Sequence, residues 1–293
     1  MNQLTITEKA PAKINLTLDV IGRRENGYHN LRMIMQTIEL HDIVNITPSD
    51  TSDTISFTMN KELPDGCPAE NNLVYRAAAL MREQYNLPGG MKIYLEKNIP
   101  AAAGLAGGSS DCAATLLAIN KLYELNLSVD ELCKIGVTLG ADVPFCIQKG
   151  TMLAEGIGEI LTPLTPLPAL WVLLIKPDIS VSTAYVYKSL NLQSTITHPD
   201  TELVIRALEH HDAATVAHNL SNVLESVTIP EYPVLSQIKT FLREHQAVGV
   251  LMSGSGPTTY GLYQDEIAAR MALREAESAY PNYDVILCRA KLP

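Results

Sequence analysis

The chain has 293 residues, 46% of them hydrophobic, and a formal charge of -10 at neutral pH. That is enough apolar material for one large or two ordinary domains, each with its own core. So acidic a balance excludes a nucleic-acid surface or an anionic membrane as the main partner, because both require clustered Lys and Arg; any phosphate site must be local, built from backbone amides and one or two cations.

The most apolar run, ALWVLLI at 169–175, is far short of the roughly 20 residues that cross a bilayer. Glu8, Lys9, Lys13 and Asp19 interrupt the stretch where a signal peptide would need unbroken apolar sequence. The cysteines Cys67, Cys112, Cys133, Cys146 and Cys288 form no C-x-x-C pair and read as reduced, mostly buried thiols of a cytoplasmic protein.

Residues 12–20 (AKINLTLDV) alternate as a strand: Ile14, Leu16, Leu18 and Val20 face one way, Lys13, Asn15, Thr17 and Asp19 the other. Lys13 and Asn15 thus share a face, which is solvated unless it lines a cleft. Asn26-Gly27 predicts a hairpin-type turn before a second apolar stretch at 31–40. Apolar spacing predicts a helix over 70–87, stopped by Pro88-Gly89-Gly90. Residues 91–97 alternate again, and 111–125 read as a helix with Ala113, Leu116, Leu117, Asn120 and Tyr123 on one stripe. Ser128-Val129-Asp130-Glu131 is a capping box opening a helix that runs toward Gly140.

Three prolines in LTPLTPLPA (161–169) mark a boundary, dividing the chain into domains 1–162 and 163–293. The second half reads as a strand at 171–176, several helical segments over 182–222, a helix at 234–245, strands at 248–253 and 258–263, a helix at 266–279 and a strand at 283–289. Apart from the inserted helices, that order is β-α-β-β-α-β, the split arrangement of ferredoxin-like domains.

Three segments carry candidate chemistry. Residues 100–110 (PAAAGLAGGSS) form a glycine-rich loop opening a helix. At Gly104, Gly107 and Gly108 backbone N–H groups can approach an oxyanion, and the first helical turn attracts it. Ser109 and Ser110 add hydroxyls suited to a cap, a phosphate or a metal. Neither a Walker nor a Rossmann string is present, and the same sequence is equally a serine-capped helix without a ligand. Gly140-Ala141-Asp142-Val143-Pro144-Phe145 presents a carboxylate that can take a proton from an alcohol, or simply cap a short helix starting at Val143. On the first strand, Lys13 could lower the pKa of a nearby carboxylate or hydroxyl and Asn15 could bind substrate, if that face is not in water.

In this order PAKINL, PAAAGLAGGSSD and LMSGSGPT (251–258) resemble the three motifs of the GHMP kinases, from Ala10 to at least Thr258. Further strings, NGYHNL and GADVPF, resemble the branch whose acceptor is a methylerythritol linked to cytidine diphosphate. The resemblance implies an α+β, two-domain GHMP kinase fold, with an N-terminal α/β nucleotide-binding domain and a C-terminal ferredoxin-like domain carrying inserted helices. It implies ATP as co-substrate with Mg²⁺, Asp142 as catalytic base and Lys13 as its partner. Pro100, Ala101, Ala102, Ala103, Gly104, Leu105, Ala106, Gly107, Gly108, Ser109 and Ser110 would wrap the triphosphate, Ser110 touching Mg²⁺, and Gly254, Ser255 and Gly256 would close the site. Tyr28, His29 and Tyr187 would hold the cytosine, and Asn15 and Thr183 the polyol.

No acidic residue is assignable as a second Mg²⁺ ligand. Competing readings are another GHMP acceptor, of mevalonate, phosphomevalonate or homoserine type, and a non-catalytic nucleotide-binding regulator, against which the presence of both Lys13 and Asp142 argues. An RNA-binding use of the glycine-rich loop conflicts with the acidic balance.

Overall fold

A computed structural model describes residues 4–25, 27–50, 53–61, 68–192 and 197–290. The readings on Asn26 and Cys67 therefore lie outside the described residues. The chain folds as two compact units that interleave in sequence, residues 1–12, 40–101 and 106–148 in the first and 13–39, 102–105 and 149–293 in the second.

Two long strands, β1 (Ile6–Arg23) and β2 (His29–Ser49), pass from one unit into the other. In the first unit, β2 pairs antiparallel with β4 (Gly90–Glu96), and β4 pairs parallel with β3 (Ile55–Met59). Met91, Ile93 and Leu95 of β4 are buried while Lys92 and Tyr94 are exposed, as the alternation requires. The helices α1 (Leu73–Gln84), α2 (Gly107–Leu122), α3 (Val129–Leu139) and α4 (Val143–Gln148) pack on one another, α1 against α2 and both α2 and α3 against α4.

Asn72 caps α1 by accepting the Val74 N–H, and the chain leaves that helix through Asn86 and Gly89 at positive φ. A Cβ on Gly89 would stand 2.9 Å from the Ser49 carbonyl oxygen, so only glycine fits the turn. Ser128 and Glu131 form the reciprocal capping box expected at the start of α3. The interior of α2 is buried almost all round, Cys112, Ala114, Thr115, Ala118 and Ile119 joining Ala113 and Leu116, so the single stripe read from its sequence understates how deeply it sits.

In the second unit, β5 (Thr151–Gly156) pairs antiparallel with β2 from Leu31↔Gly156 to Gln36↔Thr151, and β6 (Ile160–Pro163) pairs with β5. A short β8 (Ser221–Asn222) lies parallel to β1 at Thr17↔Ser221. A separate antiparallel sheet has the order β11-β7-β10-β9, with β7 at Trp171–Lys176, β9 at Gly249–Met252, β10 at Thr259–Tyr263 and β11 at Asp284–Arg289. Numbered within this sheet the order is 4-1-3-2. With α9 (Val234–Glu244) and α10 (Glu266–Ala279) packed against it, this is the ferredoxin-like arrangement. The inserted helices are α5 (Thr183–Ser189), α6 (Thr201–Glu209), α7 (Ala213–His218) and α8 (Glu225–Glu231).

Candidate active site

The strand face read as solvated is buried. Lys13 is 5% exposed and Asn15 fully covered, with Thr17 and Asp19 also inside. Burying a polar row is affordable only when every group finds a partner, and here each does. Lys13 Nζ donates to Asn15 Oδ1 at 2.7 Å, the Ile34 N–H donates to Thr17 Oγ1 at 3.0 Å, and Asp19 Oδ1 receives the Val20 N–H and faces His198 Nδ1 at 2.7 Å.

Two glycine turns of the same unit converge on this row. The Gly254 N–H donates to Asn15 Oδ1 at 3.0 Å, and Ser253 Oγ donates to the Gly104 carbonyl at 3.0 Å. The Lys13 N–H donates to the Leu105 carbonyl at 3.1 Å. Gly104 has φ +73°, and a Cβ there would stand 2.2 Å from the Ser253 carbonyl oxygen; one on Gly254 (φ +57°) would lie 3.5 Å from Lys13 Nζ. Residues 253–258 also form the expected hairpin connection, since Thr259 pairs with Met252 and the Ser253 N–H donates to the Thr258 carbonyl. A cation and two glycine-bearing backbone turns within a few ångströms make a cradle for an anionic group.

The candidates for an acceptor pocket join the same network. Thr183 Oγ1 and Ser255 Oγ share a hydrogen bond at 2.8 Å. Tyr187 follows Thr183 by one helical turn on α5, so both project from one face, and its ring meets that of His29 with centroids 5.3 Å apart, tilted by 32°. Burial, and next the positive charge of Arg23, hold His29 below its ordinary value, leaving a neutral imidazole at physiological pH that can both donate and accept. Tyr28, next to His29 in sequence, is 58% exposed.

The first unit holds the other candidates. Its helix α2 begins at Gly107, two residues before Ser109, so neither serine is its cap. The N-cap is Ala106 at φ 56°, without a side-chain cap hydrogen bond. A long helix whose first amides lack side-chain acceptors suits an anion. Ser110 Oγ donates to the Pro11 carbonyl at 2.7 Å, which leaves the lone pairs of its oxygen unused by that bond. Asp142 stands half-buried immediately before α4, its carbonyl accepting the Cys146 N–H. Among the described residues no hydrogen bond reaches its carboxylate, so the group is not spent as a helix cap. Ser109 Oγ lies 3.7 Å from the Cβ that a side chain at Gly140 would carry, which brings the start of α2 beside the 140–142 turn.

Sequence reasoning missed what anchors the glycine-rich stretch. Asp42 is fully buried and accepts the Asn98 and Ile99 N–H groups at 2.5 and 2.7 Å, fixing the approach to Pro100. Lys97 Nζ bridges Asp42 and Asp111. Burial by itself would push Lys97 down, but the two carboxylates outweigh it and hold the ammonium above its ordinary range. Burial pushes Asp111 up to about 8, because Lys97 only partly compensates and the neighbouring Asp42 carboxylate adds to the rise; Asp111 Oδ1 has no partner among the described residues. The signal in the sequence was two charges, Lys97 and Asp111, flanking an otherwise uncharged run; Asp42, 55 residues before Lys97, gave none.

A profile of the GHMP kinases N terminal domain matches residues 72–150, and one of the GHMP kinases C terminal matches residues 204–282. A 4-diphosphocytidyl-2-C-methyl-D-erythritol kinase of Lachnoclostridium phytofermentans is 49% identical over 270 residues, covering 92% of each chain. The chain belongs to the GHMP kinase family. An enzyme of the same description from Clostridium perfringens is 45% identical over 281 residues, covering 96% of both. A crystal structure of 4-(cytidine 5'-diphospho)-2C-methyl-D-erythritol kinase superposes on this GHMP kinase with TM-score 0.82 and 36% identity, covering 97% of this chain and 98% of that one. The homoserine kinase of Cytophaga hutchinsonii, at 20% identity and TM-score 0.79, shares the fold.

Proposed function

We propose that this GHMP kinase transfers the γ-phosphate of ATP to the 2-hydroxyl of 4-diphosphocytidyl-2-C-methyl-D-erythritol, in the methylerythritol phosphate route to isoprenoids. Near full-length identity of 45–49% to enzymes of that name supports the acceptor. The observation that carries the reading is the chain of contacts from Lys13 through Asn15, Gly254, Ser255 and Thr183 to the His29–Tyr187 ring pair. It links a buried cation to a pair of rings able to take a base by stacking.

In this reading Asp142 takes the proton of the acceptor hydroxyl and Lys13 stabilises negative charge at the reacting centre. Phosphoryl transfer asks little more of a protein, since its transition state is loose and catalysis is mostly positioning and charge. The uncapped start of α2 and the turns at 100–108 and 254–256 present amides to the triphosphate. Among the described residues Asn15 Nδ2 has only the Met33 thioether as acceptor, at 3.4 Å; sulfur is a weak partner, and an acceptor oxygen would replace it favourably. Tyr28, with His29 and Tyr187, reads the cytosine.

Among the described residues no group of three or more His, Cys, Asp or Glu side chains could hold a metal. Ser110 still fits Mg²⁺, which keeps waters and phosphate oxygens and needs few protein ligands; when bound it neutralises charge between the β- and γ-phosphates. We place the domain division at 162/163, one family match falling in each part. A cytoplasmic location accords with the absence, among the described residues, of any helix long and apolar enough to cross a membrane.

The test is ATP consumption by the purified chain over a panel of alcohols: 4-diphosphocytidyl-methylerythritol, mevalonate, phosphomevalonate, homoserine and galactose. Turnover with the first alone, inhibited competitively by CMP or CDP, is expected. Turnover with another acceptor and indifference to CMP would move the chain to a different branch, and no ATP consumption with any of them would leave a nucleotide-binding regulator.

A further inference from the structure

Behind the 253–256 turn stands a second layer of polar side chains in the same unit. Asn222, at the end of β8, is 5% exposed; its Nδ2 donates to both the Met252 and the Gly254 carbonyl oxygens at 2.8 Å, and its Oδ1 accepts the Leu224 N–H at 3.0 Å. Glu225 Oε1 accepts the Met252 N–H at 2.9 Å, and both its oxygens receive Lys239 Nζ, at 2.6 and 2.5 Å. Thr228 Oγ1 donates to the Ser255 carbonyl at 3.2 Å.

The Gly254 N–H belongs to the peptide unit between Ser253 and Gly254. Asn222 grips the carbonyls of the peptide units on either side of it. Two fixed neighbours leave the middle unit little freedom, so the direction of the Gly254 N–H follows from them. That N–H ends on Asn15 Oδ1, the atom that also receives Lys13 Nζ.

We propose that Asn222 is a positioning residue for phosphoryl transfer: by clamping Met252 O and Gly254 O on one amide it aims the Gly254 N–H at Asn15 and thereby orients the Lys13 ammonium. The inference rests on the kinase reading above. The chemistry selects asparagine, because one –NH₂ carries a hydrogen for each carbonyl while its Oδ1 serves the Leu224 N–H. A carboxylate in its place would set an oxygen against two carbonyl oxygens, and a hydrophobic isostere would leave all three backbone groups unpaired.

The test compares the full-length wild-type chain with Asn222→Asp and Asn222→Ala, measuring kcat, KM for both substrates, melting temperature, and hydrogen exchange over residues 251–258. At neutral pH both variants are expected to lose about tenfold or more in kcat, a transition-state effect of about 1.4 kcal/mol or more, with KM for the acceptor within about threefold and faster exchange confined to that segment. A cleft of about 360 Å³ lined by Asn222, Glu225, Ser226, Lys239 and Arg243 borders the position. The Asn222→Asp carboxylate has no hydrogen to donate, whereas its protonated form supplies one donor. Relative to wild type, kcat of Asn222→Asp should recover as pH falls, whereas Asn222→Ala should not.

A purely structural residue would lower the melting temperature of both variants yet leave kcat of the folded fraction and its pH profile as in wild type; that result overturns the proposal. Should Asn222→Asp fail to fold, Asn222→Ser, with a single hydroxyl donor, takes its place and should retain more activity than Asn222→Ala. If wild type phosphorylates no acceptor, the kinase reading fails by itself, and unchanged exchange at 251–258 in the variants would then sink the clamp separately.

Discussion

Asp142 is assigned the acceptor's proton and no part of nucleotide binding. Asp142→Asn should therefore reduce kcat/KM by about 10²–10⁴-fold, the range of general-base catalysis, while ATP affinity measured by calorimetry stays within about threefold; near wild-type turnover would remove it from the mechanism. Tyr187 is assigned the opposite profile. Tyr187→Ala should raise KM for the cytidyl acceptor by about tenfold or more, as loss of one stacking surface worth about 1–3 kcal/mol predicts, and leave KM for ATP unchanged. His29 adds a pH signature to the same pocket: because burial and Arg23 hold its pKa below the ordinary value, acceptor affinity should be flat around neutrality and weaken only when acid protonates the ring.

At this scale the sequence showed which side chains stand side by side and concealed their partners. Lys13 and Asn15 were legible as neighbours on one strand face because the two-residue repeat is local. That the face is buried was not legible, since the groups that satisfy it, Gly254, His198 and Ile34, come from positions 17 to 239 residues away.

Among elements, the two glycine turns meet beside Lys13 and Asn15 and bound the proposed site. Gly104 packs backbone to backbone against Ser253, and alanine there would have to push its carbonyl aside while holding a left-handed conformation. Gly104→Ala should raise KM for ATP by about tenfold or more and lower the melting temperature by several degrees. Gly22→Ala, where a Cβ would meet nothing closer than 3.8 Å, should change stability by no more than about 0.5 kcal/mol. Equal effects of the two substitutions would show that the close approach at Gly104 has no role. Elements whose signal is local were read correctly, among them the capping box of α3 and the alternation of β4. The start of α2 was misread because serines favour caps, whereas here Ala106 takes the left-handed position. Helix α8 and strand β8, which carry Glu225, Thr228 and Asn222 toward the 253–256 turn, gave no periodic signal, being only seven and two residues long.

For the whole molecule, the strand and helix order of the ferredoxin-like sheet was readable because each element announces itself within its own few residues. The interleaving of the two units was not, because it depends on where β1 and β2 change neighbours midway along their length. Stability carries a trace of the buried Asp42–Lys97–Asp111 cluster. An unfolded Asp111 titrates near 3.8 and the folded one at about 8, so between these values the folded state holds the extra proton, and the group's contribution declines as pH rises from about 4 to 8. The melting temperature of wild type relative to Asp111→Asn should fall over that interval, and parallel curves would contradict the assignment.

The reaction product is the most direct test of the proposed chemistry. When the purified chain is incubated with ATP, Mg²⁺ and 4-diphosphocytidyl-methylerythritol, ³¹P NMR should show ADP and one new phosphomonoester in equal amounts, attached at the 2-position. An untouched acceptor, whether ATP persists or is hydrolysed to free phosphate, would contradict it.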